Sequence, residues 1–163
     1  MLAKPFTAGI RQARPEDRAS VLGLLKRTGF FRPGELKIAA EVYDAAIAAG
    51  PGGDYQSFVA RDVQSTVGWV CYGPTPCTEG TFDIYWLGVD PDSQRNGVGT
   101  SLVQFALSAI KNRGGRLVVV ETSGSPRYEP SRRFYEKIGF QKAAQIADFY
   151  AADDDKVIYT KRL

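Results

Sequence analysis

The chain has 163 residues, 44% of them apolar and 24% charged, with a net charge of +3 and no histidine. At this length one domain spanning residues 1–163, with a sizeable core, is expected. No apolar run reaches the roughly 18 residues of a membrane span, and without imidazole a His-based catalytic triad and any zinc site that needs His are excluded. The basic residues are scattered, which favours an ordinary solvated surface over nucleic-acid binding. Met1 to Ile10 lacks the apolar core of a signal peptide, so a cytoplasmic location is expected. The two cysteines, Cys71 and Cys77, form no CxxC pair, and Cys71, between Trp69-Val70 and Tyr72, reads as a small buried residue.

A short strand is expected within Phe6 to Arg14. Pro15 suits the first position of a helix whose apolar face is Val21, Leu22, Leu24 and Leu25, and Gly29 stops it. A second helix is predicted from Gly34 to Ala49. Its inner face is Leu36, Ala39, Ala40, Tyr43 and Ile47, at spacings of three and four, and Gly50-Pro51-Gly52-Gly53 ends it. The period then changes. Gln56 to Asp62 and Thr66 to Tyr72 read as a hairpin, and Thr81 to Val89 as a long aromatic strand. A helix is predicted over Gly97 to Arg113 and a buried strand over Arg116 to Thr122. A last helix covers Glu129 to Ile138, with Pro130 in its first turn and Gly139 as its stop. Phe140 to Ala147 and Lys156 to Lys161 finish as strands. The order is that of a mixed α/β layer fold with no repeat or linker.

The most informative segment is Gln94-Arg95-Asn96-Gly97-Val98-Gly99, between the aromatic strand and a helix. Helix N-termini present free N–H groups and a partial positive charge, and glycine lets the backbone approach a ligand closely, so this is a place to bind phosphate. A Walker loop is excluded because GxxxxGK[ST] does not occur. The dinucleotide fingerprint GxGxxG is excluded because Leu102 stands where its third glycine belongs.

Leu87-Gly88-Val89-Asp90-Pro91 precedes Gln94-x-x-Gly97-x-Gly99, and Phe134-Tyr135-Glu136-Lys137-Ile138-Gly139-Phe140 follows about forty residues on. With this pair of motifs the chain resembles the GNAT superfamily of acyl-CoA-dependent N-acetyltransferases, and the agreement in element order extends from about Ile10 to Arg162. The resemblance implies a central, mostly antiparallel sheet with splayed fourth and fifth strands and about four helices. It implies acetyl-CoA as the acetyl donor. Leu87 and Val89 would offer backbone groups to the pantetheine arm, as an added strand does. The loop from Gln94 through Arg95, Asn96, Gly97, Val98, Gly99 and Thr100 would hold the pyrophosphate, and Tyr128 and Ser131 would border the cofactor. The Val89 N–H, or one near it, would polarise the thioester carbonyl. No metal is implied.

The reaction so implied is direct attack of a neutral primary amine on the thioester in a ternary complex. A lysine-like amine with a pKa near 10.4 is neutral in only about 1 of 2,500 molecules at pH 7, a cost of roughly 4.6 kcal/mol, against about 1.4 kcal/mol for an α-amine near 8. A base therefore matters most for the first. Two carboxylates qualify. Asp83 lies on the aromatic strand, where simple alternation points it with Tyr85, Leu87 and Val89. Glu121 closes the Leu117-Val118-Val119-Val120 run, where a desolvated carboxyl with a raised pKa is expected. Tyr135 matches the family's general acid. Helical spacing puts Tyr128, Ser131 and Tyr135 on one stripe, and Phe134 and Ile138 on a packing stripe. Many family members carry Asn near the position of Tyr128, so this chain departs there.

The acceptor, a small-molecule or peptide amine, is expected between the early helices and the loop after the sixth strand. Phe30, Phe31, Arg32 and Asp148-Phe149-Tyr150 are the candidates, Phe31 and Tyr150 foremost. Asp153-Asp154-Asp155 reads as a solvated turn. A non-catalytic acyl-CoA-binding or sensing module is the rival reading. A monomer or a homodimer fits the sequence equally.

Overall fold

A computed structural model describes residues 9–163. The chain runs β1 (Ile10–Gln12), α1 (Arg18–Thr28), α2 (Pro33–Ala49), β2 (Gln56–Arg61), β3 (Thr66–Pro74), β4 (Thr81–Val89), α3 (Val98–Asn112), β5 (Leu117–Ser123), α4 (Glu129–Lys137), β6 (Gln141–Ala151) and β7 (Asp154–Arg162). Of the first predicted strand, Phe6 to Ala8 lie outside the described residues. Pro15 opens a 3₁₀ turn, Pro15–Asp17, rather than α1 itself.

Seven strands form one mixed sheet in the order β1-β2-β3-β4-β5-β7-β6. Every neighbouring pair is antiparallel except β4 and β5, which are parallel and paired only at Thr81–Leu117, Phe82–Val118 and Asp83–Val119. Beyond Asp83 the two strands part. One backbone edge of β4, from Ile84 onward, therefore has no strand beside it.

Each face of the sheet carries its own core. Under α3 and α4 pack Val70, Tyr72, Phe82, Ile84, Leu102, Ala106, Val118 and Val120, among others. Under α1 and α2 pack Val21, Leu24, Leu25, Ala39, Tyr43, Val59, Trp69 and Cys71. Trp69, wholly buried, satisfies its indole N–H by donating to the Ser57 hydroxyl at 2.7 Å.

Two departures from the expected strands shape the site. First, β4 does not alternate throughout. Tyr72 pairs with Ile84 but Cys71 pairs with Trp86, so Tyr85 is an extra residue, a bulge. Phe82 and Ile84 lie in the α3/α4 core, whereas Trp86 packs against the α1/α2 core, stacked on Trp69 at 6.0 Å. Asp83 and Leu87 thus face opposite sides of the sheet, and the simple alternation expected over residues 83–89 is wrong. Second, β6 runs on to Ala151 and β7 starts at Asp154, so residues 148–150 belong to a strand and not to a loop. Their register with β7 jumps between Ile146 and Ala151, and Asp148 takes a left-handed φ of 52°.

Candidate active site

The phosphate-type loop forms where the sequence places it. Arg95 (φ 65°) and Gly97 (φ 81°) are both left-handed, a conformation natural to glycine, and α3 begins with no side-chain cap. Among the described residues, no backbone N–H from Arg95 to Thr100 meets a protein acceptor. The Gln94 side-chain amide donates to the Val89 carbonyl at 3.3 Å and ties the loop to the end of β4. A Cβ on Gly99 would lie 3.4 Å from the Phe134 ring and 3.5 Å from a Val89 methyl, so strand end, loop and α4 meet there.

Behind the splay lies a cleft of about 870 Å³, within the roughly 300–1,000 Å³ usual for ligand sites. Asp83, Leu87, Glu121, Tyr128, Ser131, Tyr135, Phe31 and Tyr150 all line it. Val89 and the loop Gln94 to Thr100 do not. Because β4 and β5 separate, the cleft passes through the sheet. Asp83, Glu121 and Phe31 stand on the α1/α2 side, and Leu87 and Tyr135 on the α3/α4 side.

Tyr135 is only 9% exposed and packs edge-on to Phe134 and Phe140. The two stripes of α4 are therefore not divided as expected. Tyr135 is the buried core residue, and Phe134, only partly buried, packs beside Gly99. No hydrogen bond to the Tyr135 hydroxyl occurs among the described residues, and no side-chain oxygen is sealed without a partner, so this hydroxyl opens on the cleft. Burial pushes its pKa up to about 12. Tyr128 instead donates from its hydroxyl to the Phe30 carbonyl at 3.0 Å and packs on the Phe30 ring at 5.5 Å. It pins the α1–α2 connection over the cleft.

The two carboxylates differ in environment. Asp83 is half-buried and accepts from the Thr75 hydroxyl at 2.5 Å. Burial raises its pKa, the Thr75 hydrogen bond opposes this, the Glu121 charge adds to it and Lys156 opposes it; the net shift is upward. Glu121 is not desolvated as the sequence suggested. Its side chain is 45% exposed and lies 2.7 Å from the Lys156 ammonium.

Around them stand residues that local sequence did not single out: Thr75, Lys156, Glu35 and Trp86. Trp86 packs on Phe31 at 5.4 Å. Of the acidic run only Asp154 faces the cleft, where it accepts from Ser123 and lies 3.6 Å from Arg32. Tyr150 sits among these acids. Burial first, then the charges of Glu121, Asp154 and Glu35, push its phenol up to about 12. The lining thus carries four carboxylates, Glu35, Asp83, Glu121 and Asp154, against the guanidinium groups of Arg32 and Arg127. Aromatic rings and an excess of negative charge suit a cation.

A family model for the acetyltransferase (GNAT) domain matches residues 53–142, more than half of the chain. The chain belongs to the GNAT acetyltransferase family. A GNAT-family protein of Desulfovibrio desulfuricans is 39% identical and superposes with a TM-score of 0.91 over 96% of this chain and 99% of that one. The uncharacterized N-acetyltransferase YsnE of Bacillus subtilis is 35% identical over 69 residues, 42% of this chain and 45% of its own, so this curated match spans less than half of that relative's length. An aminoglycoside 6'-N-acetyltransferase solved with coenzyme A shares the fold, with a TM-score of 0.74 at 16% identity over 94% of this chain and 96% of that one.

Proposed function

We propose that the protein transfers an acetyl group from acetyl-CoA to a primary amine by direct attack in a ternary complex. The observation that carries this reading is the slot through the sheet. It opens along the bare edge of β4, which leads to an uncapped helix start suited to an anion, into a cleft rich in carboxylates and aromatic rings. The residues present fit the donor. Six unpartnered N–H groups, residues 95–100, suit a pyrophosphate, and the bare edge of β4 around Leu87 and Val89 suits the amides of a pantetheine chain. The coenzyme A in the aminoglycoside enzyme, which shares this fold, supports the same choice.

When bound, acetyl-CoA supplies an acetyl group activated as a thioester. The residues of this chain do the rest. Acids and rings of the α1/α2 side receive the amine as its ammonium form. Asp83, with its pKa raised by burial, takes the proton that the amine must lose, directly or through one water. The Tyr135 hydroxyl, protonated throughout the neutral range, gives a hydrogen bond or a proton at the departing sulfur. Glu121 holds the incoming ammonium, and Phe31, Tyr128 and Tyr150 bound its space. Location in the cytoplasm and a free choice between monomer and dimer are part of the same proposal.

The test is coenzyme A release across a panel of small and peptide amines, with Asp83→Asn and Tyr135→Phe alongside. Acetyl-CoA binding in a thermal shift with no transfer to any amine would favour a sensing module instead.

A further inference from the structure

Lys156 lies on β7, opposite Ser123 of β5, on the same face of the sheet as Glu121 and Asp83. Its side chain is only 14% exposed. Lysine rarely sits that deep without a defined task for its charge. Two contacts hold the ammonium. Glu121 Oε2 lies 2.7 Å away, and the Phe149 ring centre lies 3.9 Å away. The displaced register between Ile146 and Ala151 of β6 is the stretch that carries Phe149. Three strands therefore assemble one charge group at the point where β4 and β5 part: Asp83, Glu121 and Lys156.

We propose that Lys156 is a positioning residue that divides the labour between the two carboxylates. By binding Glu121 from β7 it holds that side chain as a fixed anion at the acceptor side, and it leaves Asp83, which has no ion pair of its own among the described residues, free to take the proton. Without Lys156, two anions on neighbouring strands would compete for protons and for the incoming ammonium. The inference rests on Asp83 being the proton acceptor.

Among the described residues, few charged and titratable groups face Asp83. Glu121 comes from β5 and Lys156 from β7, Tyr85 from its own strand, Glu35 from α2 and Tyr150 from β6 across the cleft. Of these, Lys156 is the cation that reaches Asp83. Removing it must raise the pH at which Asp83 loses its proton, and neutralising Glu121 must lower it. Opposite signs from two neighbours distinguish an electrostatic role from a structural one.

The experiment is the pH dependence of kcat/KM for the best amine, measured on wild type, Asp83→Asn, Lys156→Met, Lys156→Arg and Glu121→Gln. The acidic limb is expected to move up by about 0.5 pH unit in Lys156→Met, roughly a threefold loss on that limb, and to stay in place in Lys156→Arg. Glu121→Gln is expected to move it down and to raise KM for the amine more than it lowers kcat. It supplies the sign test even where Lys156→Met folds poorly. An acidic limb lost in Asp83→Asn but unmoved in both Lys156→Met and Glu121→Gln overturns the role of Lys156 alone. An Asp83→Asn variant that keeps the wild-type limb overturns the base assignment, and this inference with it.

Discussion

Single side chains at this site act through what they lack as much as through what they touch. Tyr135 is packed on its ring and bare at its hydroxyl, so among the described residues Tyr135→Phe removes one oxygen and no protein hydrogen bond. Stability should change by no more than about 0.5 kcal/mol, while kcat falls about 10²-fold with KM for acetyl-CoA nearly constant. Steady-state rates with a melting curve check both halves, and an unchanged kcat under rate-limiting chemistry would remove Tyr135 as the acid. The sequence named Tyr135 through the pattern around Gly139-Phe140, but not its burial, because helical spacing alone cannot tell which of two aromatic stripes meets the sheet. Lys156 left no local trace. Its partner Glu121 is brought beside it only by the register of β5 on β7, which places Glu121 opposite Ile158.

At the scale of elements, the loop and the span of the strand before it were legible, Thr81 to Val89 in both readings, but the strand's bulge was not. Gly97 marks a helix start by its chemistry, whereas nothing in the run Asp83-Ile84-Tyr85-Trp86 announces the bulge that turns Asp83 away from Leu87. The helix start is seated by close approach. A Cβ on Gly68 of β3 would lie 2.7 Å from Leu102 Cδ1 and 2.9 Å from Val98 Cγ1, both on α3. Gly68→Ala should therefore lift the N-terminal turn of α3, costing about 1–3 kcal/mol and raising KM for acetyl-CoA more than KM for the amine. Unchanged melting and an unchanged KM would show that α3 does not depend on this contact. The corner between β1 and α1 has a different fastening. Asp17, 4% exposed, accepts from both Arg11 guanidinium nitrogens at 2.7 and 2.9 Å and from the Arg14 N–H at 2.9 Å. Burial alone would raise its pKa, but these donors outweigh it and leave the carboxyl below its ordinary value. A lowered folded pKa means that the stabilisation is complete above the unfolded value, about 3.9, and fades as pH falls through the folded one. Asp17→Asn should cost roughly 2 kcal/mol at pH 7, discounted for the partial exposure of Arg11. The gap to wild type should narrow in melts taken toward pH 3; a gap independent of pH would assign the loss to packing.

The cleft is lined from both faces of the sheet where β4 and β5 part, and this makes the order of events testable. The proposed donor contacts lie at the α3 end, with Leu87 and Tyr135 on the α3/α4 side. The acids and aromatic rings that suit an amine lie on the α1/α2 side. Two substrates arriving from opposite faces can be present together, so neither has to leave before the other enters. A covalent acetyl-enzyme would instead need a nucleophile within the cleft. The described lining contains no cysteine or lysine, its serines Ser123, Ser125 and Ser131 have no histidine to activate them, and Cys71 is wholly buried in the α1/α2 core, where burial pushes its thiol up to about 12. Sequential kinetics are therefore expected. Double-reciprocal plots at several fixed amine concentrations should intersect, and the protein incubated with acetyl-CoA alone should keep its unmodified mass. Parallel lines together with a stable gain of one acetyl group would replace direct attack by a two-step transfer. Such a transfer would need a route between the faces that the parted strands β4 and β5 make unnecessary.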